Sequence, residues 1–291
     1  MTETRTFTTR ELAQMWNVSE ATIKGWTNRE VLRCYRTPGG HRRFRLEDIR
    51  HFQMQQRFEA NGLLSTEDWE DPDIEFCVNE KNFRKVQKSI LYLAVQNQRM
   101  RVRQFLERLY LRGMSLADLY DDILVPIAGE IKRSLEAEEM TVGETRVAGN
   151  NLEEALFAVF PSIIRRRKNG KTALCAAPDG FCRLLLNATS RILEVEGWDC
   201  LNLGSDVPFD AMTQMVEREP VNLVCIALNR KDESLCCRQF ETLYDVAGSY
   251  RAPTILLGPV FAEPNYRQSF SHDAFFPNFR SFRQYVVHLE R

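Results

Sequence analysis

The 291-residue sequence predicts a multidomain chain of α and α/β class: a small winged helix-turn-helix, a four-helix bundle and a doubly wound parallel sheet. Three observations lead there. Near the N-terminus, two short helices with separate capping signals precede a basic hairpin built around Pro38-Gly39-Gly40. From Glu80 to about Lys168, apolar residues recur at helical spacing between short breaks. From Thr172 onward, short aliphatic runs alternate with helical segments, the pattern of βα units.

Thr8-Thr-Arg-Glu11 has capping-box spacing and opens a helix with Leu12, Ala13 and Trp16 on its apolar face. Asn17-Val18 turns the chain, and Ser19 caps a second helix reaching about Asn28. Extended runs at Arg33–Arg36 and His41–Arg45 flank the Pro-Gly-Gly turn, and Leu46 to about Ala60 forms another helix. In the bundle, stripes begin at Phe83 and Val102. Ser115 starts a third helix running through Ile131, and Thr141-Val-Gly-Glu144 is the capping box of a fourth. Arg165-Arg-Arg-Lys168 suits the dipole at that last helix's C-terminus, and a second DNA contact there is the alternative. Strands are expected at Thr172–Ala177, Cys200–Leu203, Leu223–Leu228, Thr254–Leu257 and Ala274–Phe276. The helices between and after them are Arg183–Glu196, Asp210–Glu217, Glu233–Gly248 and Phe279–Leu289. In such sheets ligands bind at the strands' C-terminal ends, here the loops 178–182, 204–208, 229–232 and 258–261.

The formal net charge of −1 conceals unequal blocks. Residues 1–60 carry 11 Lys and Arg against 7 Asp and Glu, whereas 61–80 carry 7 acids and no base. Residues 81–168 carry 16 bases against 11 acids, and 169–291 carry 12 against 15. Four segments follow: a winged helix over 1–62, an acidic linker over 63–79, the bundle over 80–168 and the α/β domain over 169–291. No run approaches the ~18 apolar residues of a membrane span, and no apolar stretch follows the first residues as in a secretory signal. The eight cysteines form no CxxC pair, which disfavours a disulfide framework or a zinc site, so a cytoplasmic protein is expected. Gly-rich phosphate loops, paired carboxylates and nucleophile–His constellations are missing, and neither His272 nor His288 has a partner at useful spacing; catalysis is not expected.

The basic head has the chemistry of a double-stranded DNA reader. Ser19, Thr22, Lys24 and Arg29 lie on or beside the second helix, and Arg36, His41, Arg42, Arg43 and Arg45 on the wing. Helix side chains reach base edges in the major groove, while wing arginines meet phosphates or the minor groove. A merely solvated basic surface is the alternative. Trp16, Trp26 and Phe44 are expected in the core.

Val18-Ser-Glu-Ala-Thr-Ile-Lys24-Gly-Trp26, Leu32, Thr37-Pro-Gly-Gly-His-Arg-Arg-Phe44 and Leu46-Glu-Asp-Ile49 together resemble the winged helix of MerR-type regulators. The resemblance covers about residues 5–50. It implies DNA binding, with Lys24 at the family's basic recognition position, Trp26 at its usual Tyr, and Arg42 and Phe44 at the wing's Arg and aromatic.

The order of domains, with Gly197-Trp198 and Leu203-Gly-Ser-Asp-Val-Pro208, resembles the CarH/LitR group of cobalamin-dependent MerR regulators. That resemblance implies a flavodoxin-like sheet and, in the family, adenosylcobalamin between bundle and sheet with a His on cobalt. Light breaks the family's cobalt–carbon bond, and a repressor tetramer falls apart. At the contact positions this sequence departs from the pattern. Gly180 stands at the family's acid, Cys182 at its cobalt His and Leu185 at a Gly. Ala227 stands where a Ser is frequent, and Gly258-Pro259 replaces Gly-Gly. In the bundle Leu135 falls near a Trp, and Thr145 and Arg146 fall at Glu and His. No cofactor is therefore expected, and cobalamin is disfavoured. Cys182 keeps two readings, a soft-metal or redox thiol and a small semi-buried side chain.

The expected function is a DNA-binding transcriptional regulator, a repressor by its resemblance, acting as a homo-oligomer, a dimer or higher. Its C-terminal module would serve oligomerisation or the docking of a protein partner or signal. The alternatives are a sensor that holds cobalamin or another chromophore, a scaffold that no longer reads DNA, and an excisionase-like recombination accessory.

Overall fold

The computed structural model describes residues 6–16, 18–45, 48, 49, 52, 78, 80, 82–159, 163, 165–180, 182–229, 231, 235 and 237–289. The expected acidic linker falls outside them apart from Val78. So does most of the helix expected over 46–60, of which Asp48, Ile49 and Phe52 are helical.

The N-terminal part opens with β1 (Thr6–Thr8), which runs directly into α1 (Thr9–Met15); α2 (Glu20–Asn28), β2 (Tyr35–Arg36) and β3 (Arg42–Arg45) follow. Both capping devices form. The Thr8 amide donates to Glu11 Oε2 at 2.7 Å, and the Glu11 amide donates to Thr8 Oγ1 at 3.1 Å. Ser19 Oγ accepts the Thr22 amide at 3.1 Å. The strands pair antiparallel in the order β1-β3-β2, placing Phe7 opposite Phe44. The strand β1 is not anticipated by the sequence, because Thr-Phe-Thr offers one apolar side chain and no alternation to detect. Phe7, Leu12, Ile23, Leu32, Phe44, Ile49 and Phe52 make the core. Trp16 and Trp26 pack on its edge, their rings 5.3 and 5.0 Å from that of Phe52.

The bundle consists of α3 (Arg84–Val95), α4 (Arg99–Leu111), a third helix in pieces, and α7 (Val142–Val159). The Thr141–Glu144 capping box closes as expected, with reciprocal bonds of 2.8 and 3.2 Å. The third helix departs from expectation. It is α5 (Leu116–Asp118), a π-helical turn over Leu119–Leu124 and α6 (Val125–Glu136). Pro126 accounts for the break, since it has no N–H for the carbonyl of Asp122 four residues back. Gln87 Nε2 donates to that carbonyl instead, at 2.7 Å.

The C-terminal sheet contains β4 (Thr172–Ala176), β5 (Asp199–Gly204), β6 (Leu223–Ala227), β7 (Thr254–Leu257) and β8 (Ala274–Phe276). All neighbours are parallel, in the order β5-β4-β6-β7-β8. That is the 2-1-3-4-5 order of flavodoxin-like folds. The connecting helices are α8 (Arg183–Val195), α9 (Phe209–Arg218) and α10 (Cys237–Ser249). A 3-10 turn at Pro259–Ala262 and α11 (Pro264–Arg267) lie between β7 and β8, and α12 (Phe279–His288) ends the described chain. Both elements after β7 are unanticipated; each begins on a proline, whose fixed φ favours a first helical turn.

By internal packing, residues 1–115 and 122–164 group together, and Leu116–Asp121 groups with Arg165–Arg291. Asp121 explains its own membership. Its carboxylate caps α12, accepting the amides of Phe279 and Arg280 at 2.9 Å each, while Arg280 pairs with Asp118 at 2.6 Å. The basic strip needs a correction. The fourth bundle helix ends at Val159, and Arg165–Lys168 are non-helical and grouped with the sheet, so they serve no helix dipole. Arg166 and Arg283 hold the two oxygens of Glu196, which is 1% exposed, and Lys168 pairs with Asp199. No helix among the described residues is long and apolar enough to cross a membrane.

Substituting Gln87→Ala should orphan the Asp122 carbonyl and destabilise the bundle by roughly 1–2 kcal/mol in denaturant unfolding. In a Pro126→Ala background the loss should shrink, because the alanine supplies the missing N–H; equal losses in both backgrounds would refute this account of the break.

Candidate nucleic-acid interface

Strand alternation builds the wing. Burying Phe44 places Arg42 on the same face, toward α2, and turns Arg43 and Arg45 to the other. Arg42 Nη2 donates to Asn28 Oδ1 at 2.7 Å, tying the wing to the end of α2. Arg43 sits in register between Thr8 of β1 and Tyr35 of β2. The Arg45 guanidinium lies over the Tyr35 ring at 5.6 Å, a cation–π contact on an exposed face. Arg36 and His41 are exposed on either side of the turn, in which Gly40 takes a φ of +78° that only glycine adopts freely.

On α2, Lys24 is exposed and lies 3.8 Å from Glu20. Ser19 and Thr22 are engaged with each other, their hydroxyls 2.8 Å apart, and so form the start of the helix. Arg29 folds back, its Nε donating to the Gly25 carbonyl at 3.3 Å. Of the nine residues singled out from sequence, Lys24, His41, Arg42 and Arg43 come together. With Thr8, Thr9, Arg10, Glu20 and Gly40 they line a cleft of about 420 Å³ between α1, α2 and the wing. Arg10 is the member that sequence reasoning passed over; its signal was its place in the capping box, two residues after Thr8.

The loop end of the sheet is organised by a second unanticipated residue, Asp179, which is 8% exposed. Its carboxylate accepts the Asn229 amide at 3.3 Å and its carbonyl accepts the Asp206 amide at 3.4 Å, joining the loops after β4, β5 and β6. A Cβ on Gly180 would stand 2.9 Å from the Asp206 carboxylate, so a larger residue there would push that carboxylate aside. Cys182 is fully buried, not semi-buried. Burial pushes its thiol up, and its hydrogen bond to Asp179 adds to that, so it stays protonated, the unreactive form. Gly258 has φ +130°, and a Cβ there would meet the Leu228 carbonyl oxygen at 2.0 Å and Leu185 Cδ2 at 3.1 Å. Leu185 therefore fills the space beside the loop after β7. Ala227 is buried at the end of β6.

In the bundle, Leu135 is 37% exposed and Arg146 is exposed, while Thr145 is buried with its hydroxyl donating to the Val142 carbonyl. Rings of His272 and His288 are bonded to the carbonyls of Phe270 and Gln284. Among the described residues no group of three or more His, Cys, Asp or Glu side chains is placed to hold a metal ion.

These parts define a helix-turn-helix protein with a flavodoxin-like α/β module. Residues 6–57 match the helix-turn-helix domain family. The chain is also similar in structure to the monomethylamine corrinoid protein of Methanosarcina barkeri, at 13% identity and a TM-score of 0.57 over 71% of this chain and 99% of that one. A cobalamin-binding protein of Desulfitobacterium hafniense matches at 15% identity over 69% of this chain and 96% of that one, with a TM-score of 0.35. The methanol:cobalamin methyltransferase complex of M. barkeri matches at 16% identity over 69% and 78%, also with a TM-score of 0.35. No curated protein sequence matches the chain. At such identities the likeness is one of fold.

Asn28→Ala should loosen the wing without removing a charge, weakening DNA binding severalfold with its salt dependence unchanged. Arg42→Ala should weaken binding and also flatten that dependence if Arg42 additionally meets a phosphate. Titrating both variants against DNA over a range of salt separates the two roles.

Proposed function

We propose that this protein is a transcription regulator that binds double-stranded DNA through a MerR-type winged helix, and that it acts as a repressor. The observation that carries the reading is the cleft lined by Arg10 of α1, Lys24 of α2 and Arg42 and Arg43 of the wing, within the span that matches the helix-turn-helix family. A helix offered to the major groove beside a cationic wing is a DNA-docking geometry. A dimer is the simplest functional form, because one small winged helix provides a limited contact area and two would match a pseudo-palindromic operator.

We further propose that the C-terminal module holds no cobalamin and serves oligomerisation or the docking of a protein partner or signal. The residues at the loop end do not suit the group. The thiol standing at the cobalt-ligand position is buried, protonated and bonded to Asp179, and Leu185 packs against Gly258 where the resemblance places a glycine. Such a thiol is a poor metal ligand.

Selection of bound duplexes from a random-sequence pool by the full chain should return a motif with two related half-sites, and a promoter carrying that motif should be silenced by the protein. Failure to enrich any sequence would sink the regulator reading, and activation of that promoter would sink repression. Gel filtration with absorbance detection, in dark and light, should give a colourless oligomer whose elution adenosylcobalamin leaves unchanged. A corrinoid band that travels with the protein would overturn the second proposal, and a concentration-independent monomer would overturn assembly.

A further inference from the structure

We propose that the cleft between α1, α2 and the wing seats one phosphate of the DNA backbone, that Arg10 is a direct ligand of this phosphate, and that Glu20 is the counter-ion the phosphate replaces. This rests on the DNA-binding reading above and deepens it by assigning the cleft's ligand and two residues that reading leaves without a role.

Arg10 is exposed, and among the described residues its side chain makes no hydrogen bond or ion pair. Its position is nevertheless well determined. It is the second residue of α1, whose start is fixed by the reciprocal Thr8–Glu11 bonds and by the pairing of Thr8 with Arg43 across β1 and β3. The backbone that carries Arg10 is thus joined directly to the strand that carries Arg43. Lys24 approaches from α2, and among the described residues the only carboxylate lining the cleft is that of Glu20.

A cleft lined by Arg10, Lys24, Arg42 and Arg43 against the single carboxylate of Glu20 lacks negative charge, and the Arg42 guanidinium, bonded to the neutral Asn28 amide, leaves its charge unbalanced. An anion placed there relieves the mutual repulsion of the cations, and a phosphodiester suits it because a guanidinium fork matches two phosphate oxygens. The Glu20–Lys24 pair can give way. At 3.8 Å, with both side chains about half exposed, it is a surface pair of small worth, so Lys24 can exchange Glu20 for phosphate at little cost. Glu20 then opposes the phosphate by like charge, which predicts opposite effects for substitutions at these two neighbouring positions.

The test measures binding of the full chain to a fluorescent duplex of mixed sequence, and to several duplexes of unrelated sequence, by anisotropy from about 50 to 200 mM salt. Arg10→Ala should weaken binding roughly tenfold at low salt on every duplex alike and reduce the salt slope by about one. Arg10→Glu should weaken it further, and Glu20→Gln should tighten it severalfold. Because both side chains are exposed, thermal unfolding should be unchanged and will separate lost contact from lost fold. If the wild-type chain binds and both Arg10 variants match it in affinity and slope, the phosphate seat is wrong while the DNA-binding reading stands. A loss confined to one duplex sequence would make Arg10 a base reader and overturn the seat as well. No salt-dependent binding by the wild-type chain on any duplex would overturn both.

Discussion

The burial of Phe44 opposite Phe7 is the constraint from which the charged surface of the N-terminal part follows. Side chains alternate along a strand, so placing Phe44 in the core commits Arg43 and Arg45 outward and Arg42 toward α2. A slip of one residue would bury two arginines and expose the phenylalanine, which the fold cannot accommodate. Pairing with β1 does more than complete the sheet. Thr8 is at once the last residue of β1 and the cap of α1, so one hydroxyl fixes both the strand's exit and the helix's entry. The wing and the first helix are thereby one rigid piece, and cations far apart in sequence come to share a cleft.

The C-terminal sheet solves a different problem. A doubly wound topology leaves its loops splayed at the carboxyl ends of the strands, where related folds place a ligand. Here Asp179 links three of those loops through its carboxylate and its carbonyl, while Leu185 packs against the fourth at Gly258. A buried carboxylate is tolerable because it accepts hydrogen bonds, while burial, and after it the contact with Asp179, keeps the Cys182 thiol neutral. The protein's own side chains thus cross-link the loops at this end of the sheet.

What could be read from the sequence was whatever carries a local signal. The capping residues Thr8, Ser19 and Thr141 marked helix starts that the structure keeps, and the strand Thr254–Leu257 lies where its aliphatic run placed it. Illegible features depended on partners distant in the chain. The strand β1 exists because β3 lies beside it. The π-helical turn is tolerated because Gln87, 35 residues earlier, satisfies the carbonyl that Pro126 abandons. At the sites, residue type pointed to the wing's cations, but not to Arg10, which stands inside a capping box, nor to Asp179, one residue of the loop 178–182.

Charge runs alone do not distinguish these roles; their counter-charges do. Arg165–Lys168 is as basic a tetrapeptide as any in the chain, yet Arg166 faces a buried glutamate that it shares with Arg283, and Lys168 pairs with Asp199. A carboxylate that is 1% exposed must keep its partners, since removing one from such a buried cluster costs about 3–5 kcal/mol. Arg166 and Arg283 are therefore committed to the fold and cannot move to a phosphate without leaving Glu196 uncompensated, whereas Lys168 and Asp199, both more than half exposed, make an ordinary surface pair. Across the winged helix the balance is reversed. Its cleft holds several cations against one exposed, weakly paired glutamate, so an incoming anion displaces little and neutralises much. Positive charge in this protein is available for nucleic acid where its counter-ion is exposed and replaceable, and structural where its counter-ion is buried.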